Sequence, residues 1–538
     1  MTDQHPSVTT ETLDPAFAHL LDAYVQAVAL ERDRLAQPLL EVDDTGSRLS
    51  SLYERVRQVV DYKEEHLVLR SIVLRVLKRR INSGQTEKFG EGLVKELTLS
   101  GYVSNKTVPV RALAAIDQTV TRYTFLVQKA DTWKLYSETL PDANALWALA
   151  AAEIEMIVVP HYTEPGLVEY AVAIFKSRTD VAEKFTYHDP AALDVALTIA
   201  AHRVILKADT IAVADRLLQL YIPDWQELTT TDLSRRHQEM TTTFSHIHGW
   251  IHDEHSEELQ RHLNQFAIAV EVLDGALQAA TATELTQLRH SPVMLHERVV
   301  KQYQKLLKRV TNTFRSSVVR AGLYILLTKA LLGLLIEVPL ELAFIGHLVP
   351  IPLVLNTIIP PSLLFMLLLT PGVSRKNQER VVAEVEAITY DGRHFGSQEK
   401  IFQLKPESDS ALMPIFYLML YVVYGAILGG IGWVLNLLHF TIISGFFFYL
   451  FVSVVIYFSV RISTKRRAIV RLPVKRNIFM GLVLMPFLTL GKFINSTFSQ
   501  FNLFTLTLDL LLEAPFKSLI EIFASWRRFV DAKNNELY

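Results

Sequence analysis

Ionisable groups set in apolar sequence carry the strongest chemical signal in this chain. Lys329, Glu337 and Glu341 lie in an apolar run that begins at Ala321, and Asp509, Glu513 and Lys517 lie in a second run near the C-terminus. Insertion scales charge about 2.5–3.5 kcal/mol for a lysine or aspartate at mid-membrane, so such groups pair with one another or line an ion path. Lys329 is nine residues past Arg320. At a rise of about 1.5 Å per residue it lies ~13 Å deep, too far for its stem to carry the ammonium to the surface. Glu337 is eight residues further along the same run, a separation of ~12 Å on an α-helix, which predicts no direct bond. The expected partner of Lys329 is therefore Asp509 or Glu513 on another span. These two recur with Lys517 and Glu521 at four-residue steps, which drift only about 40° per step and hold one helix face. First and last apolar segments are expected to pack through an ion-pair network, structural or conducting.

A second polar concentration runs from His246 through His248, His252 and His255 to His262, interleaved with Asp253, Glu254, Glu257 and Glu258. On one continuous helix, His248, His252 and His255 share a face at a spacing that suits imidazole ligands. Gly249 and the lack of an H-E-x-x-H arrangement point instead to a solvated histidine-rich face, and no metal is expected.

Other chemistry is excluded by type or by motif. The chain has no cysteine, which removes disulfides, thiolate zinc sites and cysteine nucleophiles. It has no phosphate-binding G-x-x-x-x-G-K-[ST] loop, no G-x-S-x-G elbow and no basic and aromatic interleaving of the kind that stacks bases. No cofactor, no nucleic acid and no enzymatic activity are expected.

The elements that must position these charges follow from hydropathy. The 538 residues have a net charge of -2 and 20% charged residues, yet a mean hydropathy of +0.21, which requires polar and apolar stretches to be segregated. A span of a ~30 Å hydrocarbon core needs about 20 largely apolar residues. The stretches 321–348, 350–370, 412–438 and 441–460 qualify, and 477–523 gives a less regular pair. Basic residues cluster before 321, in the loop 461–476 and in the C-terminal tail. Positive charge marks cytoplasmic loops, so about six spans with both termini cytosolic are expected in the cell membrane. Pro350, Pro352, Pro360 and Pro361 predict a kink or break in the second span. Gly425, Gly429, Gly430 and Gly432 predict close helix packing of the third, on the fourth.

Before 296 the apolar residues recur at three and four, which predicts helices, including a long hairpin over 233–279 with Met240, Phe244, Ile247, Ile251, Leu259, Leu263, Phe266 and Val270 on its stripe. The segment 299–320 carries Lys301, Lys305, Lys308, Arg309, Arg315 and Arg320 and no acid. With Tyr303, Leu307, Val310 and Phe314 on its apolar side, it is expected to bind anionic headgroups of the bilayer.

The resulting fold class is all-α: a polytopic helical membrane domain of about six spans preceded by a large α-helical soluble domain. The expected order is a cytosolic domain over 1–295, a juxtamembrane helix over 296–320 and a first hairpin over 321–371. A cytosolic linker over 372–410, a second hairpin over 411–460, a basic loop over 461–476 and a C-terminal hairpin with a basic tail over 477–538 follow. The expected function is a non-enzymatic membrane-anchored scaffold with a cytosolic protein partner; the alternative is an ion or solute transporter or channel working through the intramembrane charges.

Overall fold

The computed structural model describes residues 13–42, 65–84, 88–134, 137–181, 190–253, 255–347, 349–368, 375–390, 400–402, 413–469 and 478–501. Within these the chain is nearly all helical, apart from two three-residue strands. In chain order the helices are α1 (Pro15–Leu35), α2 (Glu65–Asn82), α3 (Phe89–Leu99), α4 (Val110–Lys134), α5 (Ala143–Val158) and α6 (Glu164–Arg178). Strand β1 (Thr179–Val181) precedes α7 (Pro190–Val204), α8 (Thr210–Tyr221), α9 (Thr230–Arg235), α10 (His237–Ile251), α11 (Ser256–Leu263), α12 (Ala267–Gln278) and α13 (Ala282–Leu288). Then come α14 (Pro292–Leu332), a π turn at Gly333–Glu337, α15 (Val338–Phe344), α16 (Pro350–Leu368), α17 (Arg375–Thr389), β2 (Lys400–Phe402), α18 (Met413–Leu437), α19 (Ile442–Ile469) and α20 (Ile478–Phe501). Contacts divide the chain into two compact units, one of 1–305 with 378–406 and one of 306–377 with 407–538.

In the first unit, three helices start on an aspartate cap. Asp14, Asp142 and Asp209 accept backbone N–H bonds from Ala16, Ala145 and Ala212 at 2.8, 2.7 and 2.9 Å, satisfying donors that the first helical turn leaves open. Helix α5 is apolar on nearly every side, with Leu146, Leu149, Ala150, Ala151, Ala152, Ile154 and Val158 buried. A helix apolar all round belongs in the centre of a core, and α2, α4 and α8 surround it.

The stretch expected as one long hairpin is instead four short helices, α9 to α12. Its apolar stripe from Met240 to Val270 is nonetheless buried, except for half-buried Ile251. Helix α10 packs on α8 while α11 packs on α7, and a single straight rod could not serve both. The chain turns at His252 and again after Leu263 to do so.

The stretch read as a linker over 372–410 holds α17, whose Val381, Val382, Val385 and Ile388 are buried. Tyr170 donates to the Ile388 carbonyl at 2.9 Å, and the Asp14 N–H donates to that of Thr389 at 3.0 Å. Strand β2 pairs in parallel with β1, Asp180 opposite Ile401.

In the second unit, three helices among the described residues are long and apolar enough to cross a membrane: Pro350–Leu368, Pro414–Leu437 and Ile442–Ser463. Gly481–Ile494 is a shorter apolar helix. The expected juxtamembrane helix is not a separate element, because α14 runs without interruption from Pro292 to Leu332. Its six cations are exposed, but Tyr303 is buried, and Phe314 and Val318 pack against Ile325, Leu364 and Val455. Much of the face expected to meet lipid is thus spent on protein.

Helix α16 continues through Pro360 and Pro361, both buried, so of the expected kink or break the break does not occur. Among the glycines of α18, Gly432 meets the fourth span as expected, where an added Cβ would stand 3.1 Å from the Tyr449 hydroxyl of α19, and the other three do not. A Cβ added at Gly425, Gly429 or Gly430 would meet nothing within 4 Å. A tighter approach to backbone lies at Gly491 on α20, where an added Cβ would stand 2.3 Å from the Ser453 carbonyl of α19.

Candidate functional site

The second unit gathers three of the expected intramembrane charges into one buried cluster. Lys329, Glu337 and Glu341 are at most 1% exposed. Lys329 Nζ donates to Glu337 Oε2 at 2.5 Å, which corrects the expectation that the two stand too far apart on one helix. Eight residues of α-helix overshoot two full turns by about 80°. A turn closed by i→i+5 bonds holds an extra residue and takes back about 100°, which returns Glu337 to the Lys329 face. The π turn at Gly333–Glu337 does this. Pro339 has no N–H for the Leu335 carbonyl, so the regular ladder has to break there.

The pair is closed by neighbours from other helices. Phe447 and Phe451 of α19 present their rings to the ammonium, with centroids 5.2 and 4.6 Å from Nζ, an arrangement that favours a desolvated cation. Asn356 of α16 donates through Nδ2 to Glu337 Oε1 at 2.7 Å and to the Ser444 carbonyl at 3.1 Å. Thr441, the residue before α19, donates to Glu341 Oε1 at 2.9 Å and lies 3.0 Å from the Ser444 hydroxyl. Lys329, Glu337, Asn356, Ser444, Thr441 and Glu341 therefore form one hydrogen-bonded chain across α14, α16 and α19.

Asp509, Glu513 and Lys517 lie outside the described residues. Lys329 finds its carboxylate without them. Asn356, Ser444 and Thr441 were missed in the sequence, where a single amide and two hydroxyls in apolar runs look ordinary. The Pro360 and Pro361 pair, one turn past Asn356, was the available signal.

The histidine cluster is taken apart by the fold. Helix α10 ends at Ile251, so His255 does not continue the face of His248 and His252. Those two rings stack at 4.2 Å, and His252 Nδ1 lies 2.9 Å from the His248 carbonyl. Among the described residues no three histidine or carboxylate side chains are grouped to hold a metal.

The first unit has its own buried charges, and two groups of them tie helices together. Glu153 of α5 pairs with Arg122 and accepts from Thr119 at 2.8 Å and from Trp225 Nε1 at 2.9 Å. Arg70 of α2 joins Glu155 at 2.7 Å and Asp209 at 2.5 Å. Burial pushes the Glu155 carboxyl above the usual carboxylate range against the pull of Arg70. Burial and then Glu153 push Asp215 up to about 7. A cavity of about 600 Å³ among α6, α7 and α8 is lined by Glu164, Lys176, Asp194, His202 and Arg216. Its Lys176 and Arg216 are already paired with Asp194 and Glu164. No known protein family, curated protein or solved structure matches this chain. Function has to be argued from these residues themselves.

Proposed function

We propose that the chain is a non-enzymatic, multi-pass membrane protein whose first unit, with both termini, lies in the cytosol and serves as a scaffold for a protein partner. The observation that carries this reading is the closure of the Lys329–Glu337 pair. Both groups are 0% exposed, and the ammonium is enclosed by a carboxylate and two aromatic rings. A charge that carries ions needs water on its path, whereas a pair sealed on all sides fixes helices against one another. The buried ions of the first unit likewise connect helices and leave the surface for association.

About six spans are proposed: the three long apolar helices, the run containing the cluster, the shorter Gly481–Ile494 helix and a C-terminal segment. The six exposed cations of 299–320 form no ion pair among the described residues, which supports contact with anionic headgroups. Ion transport is a second reading, favoured by Glu341, a second buried carboxylate with no cation of its own among the described residues. Reconstitution of the full chain in vesicles separates the two. The scaffold reading predicts proton and sodium flux equal to that of protein-free vesicles. Flux above that level that Glu337→Gln abolishes would establish transport instead.

A further inference from the structure

We propose that the buried cluster binds one exchangeable monovalent cation, a proton or a sodium ion, on its Glu341 side. One ammonium, Lys329, faces two carboxylates, Glu337 and Glu341, all buried. With all three ionised, the cluster holds one uncompensated negative charge in a desolvated place, where an unpaired charge is strongly disfavoured. The N-terminus of α19 contributes only about half a unit of positive charge. Among the described residues no second cation joins the ring.

Two further observations support a guest in the cluster. Asn356 is 0% exposed, and while its Nδ2 is spent on Glu337 and Ser444, its Oδ1 has no hydrogen-bond partner among the described residues. A buried amide oxygen left bare is costly unless something positive or a donor meets it. Thr441 and Ser444 add neutral oxygens to the same ring. Carboxylate, amide and hydroxyl oxygens without nitrogen or sulfur suit a hard cation or a proton.

The Glu341 end of the cluster lies beside residues that reach the surface. Glu341 is one turn from the end of α15, where Phe344 is 78% exposed, and Thr441 directly precedes Ile442, which is 93% exposed. Lys329 lies at the other end. Exchange through the Glu341 end alone would fill and empty the site without conduction, so the proposal stands apart from the scaffold reading and fails or holds independently of the flux assay.

The test uses the full chain in lipid nanodiscs. A hydrophobic carbodiimide, which attacks protonated carboxyls in apolar surroundings, is applied across a pH series in sodium chloride or choline chloride, and adducts are mapped by mass spectrometry. In choline, an adduct at Glu341 and not at Glu337 is expected. A proton site loses about tenfold of that labelling per pH unit above its midpoint, in either salt. A sodium site loses it when sodium replaces choline at fixed pH. A parallel melt compares wild type with Glu341→Gln, any pH response from other groups being common to both. The wild type should be stabilised by sodium or by lower pH to an extent the variant is not. Absence of the Glu341 adduct in choline at every pH, or labelling of Glu337 in its place, would overturn the proposal. Identical responses of the two proteins to pH and sodium would overturn it as well.

Discussion

At the residue scale, the buried charges divide into those that are answered and those that are not. Glu153 is fully answered by Arg122, Thr119 and Trp225. Asp215, 2% exposed, accepts from Gln219 at 2.9 Å through Oδ2, and its Oδ1 has no hydrogen-bond partner among the described residues. Its folded-state pKa of about 7 lies above the ordinary carboxylate value of 3.8, so the folded state holds this proton more tightly than the unfolded chain. Stability from Asp215 is fully present below the unfolded value and is lost as pH rises through about 7. Glu155 shifts the same way, and His202, which burial holds below its usual range, shifts oppositely; a variant isolates the Asp215 part. Asp215→Asn should be more stable than wild type above about pH 8 by at least ~1 kcal/mol, with the gap closing toward about pH 5. Chemical denaturation followed by circular dichroism measures it, and a gap independent of pH would refute the assignment.

At the scale of elements, apolar stripes were legible while the paths between them were not. The stripe from Met240 to Val270 is buried as its spacing requires, except for half-buried Ile251. The same spacing reads straight across the turn at His252, because periodicity does not record which neighbour each half packs against. The π turn was invisible for a related reason: no residue type encodes i→i+5 bonding, and only Pro339 hinted at a broken ladder. Glycine spacing misled in another way, since G-x-x-x-G reports that approach is permitted and not that it happens. Gly491→Ala should destabilise the α19 and α20 pair by about 1–3 kcal/mol, because the new methyl meets backbone at Ser453. Gly429→Ala should be neutral or slightly stabilising, since helical alanine is favoured by about 1 kcal/mol and nothing obstructs it. Thermal melts in detergent compare the two; equal losses would contradict this packing.

At the scale of the whole molecule, hydropathy separated a polar helical region from an apolar one, and the two units follow that division except where 378–406 returns to the first. Topology rests on positive charge, and the absence of native cysteine allows a direct check. A single cysteine at Val474 should react with an impermeant thiol reagent only after cells are opened; reaction in intact cells would invert the orientation. The central claim is that Lys329 and Glu337 form a sealed pair that holds the apolar unit together. Its most direct test is a double-mutant cycle in the full chain, read as unfolding free energy in nanodiscs. Lys329→Met and Glu337→Gln should each cost about 3–5 kcal/mol, since each strands a buried charge, and the double variant should recover most of that loss. Glu513→Gln should leave Lys329→Met unrescued. A double variant no more stable than Lys329→Met, or rescue by Glu513→Gln in its place, would contradict the pairing.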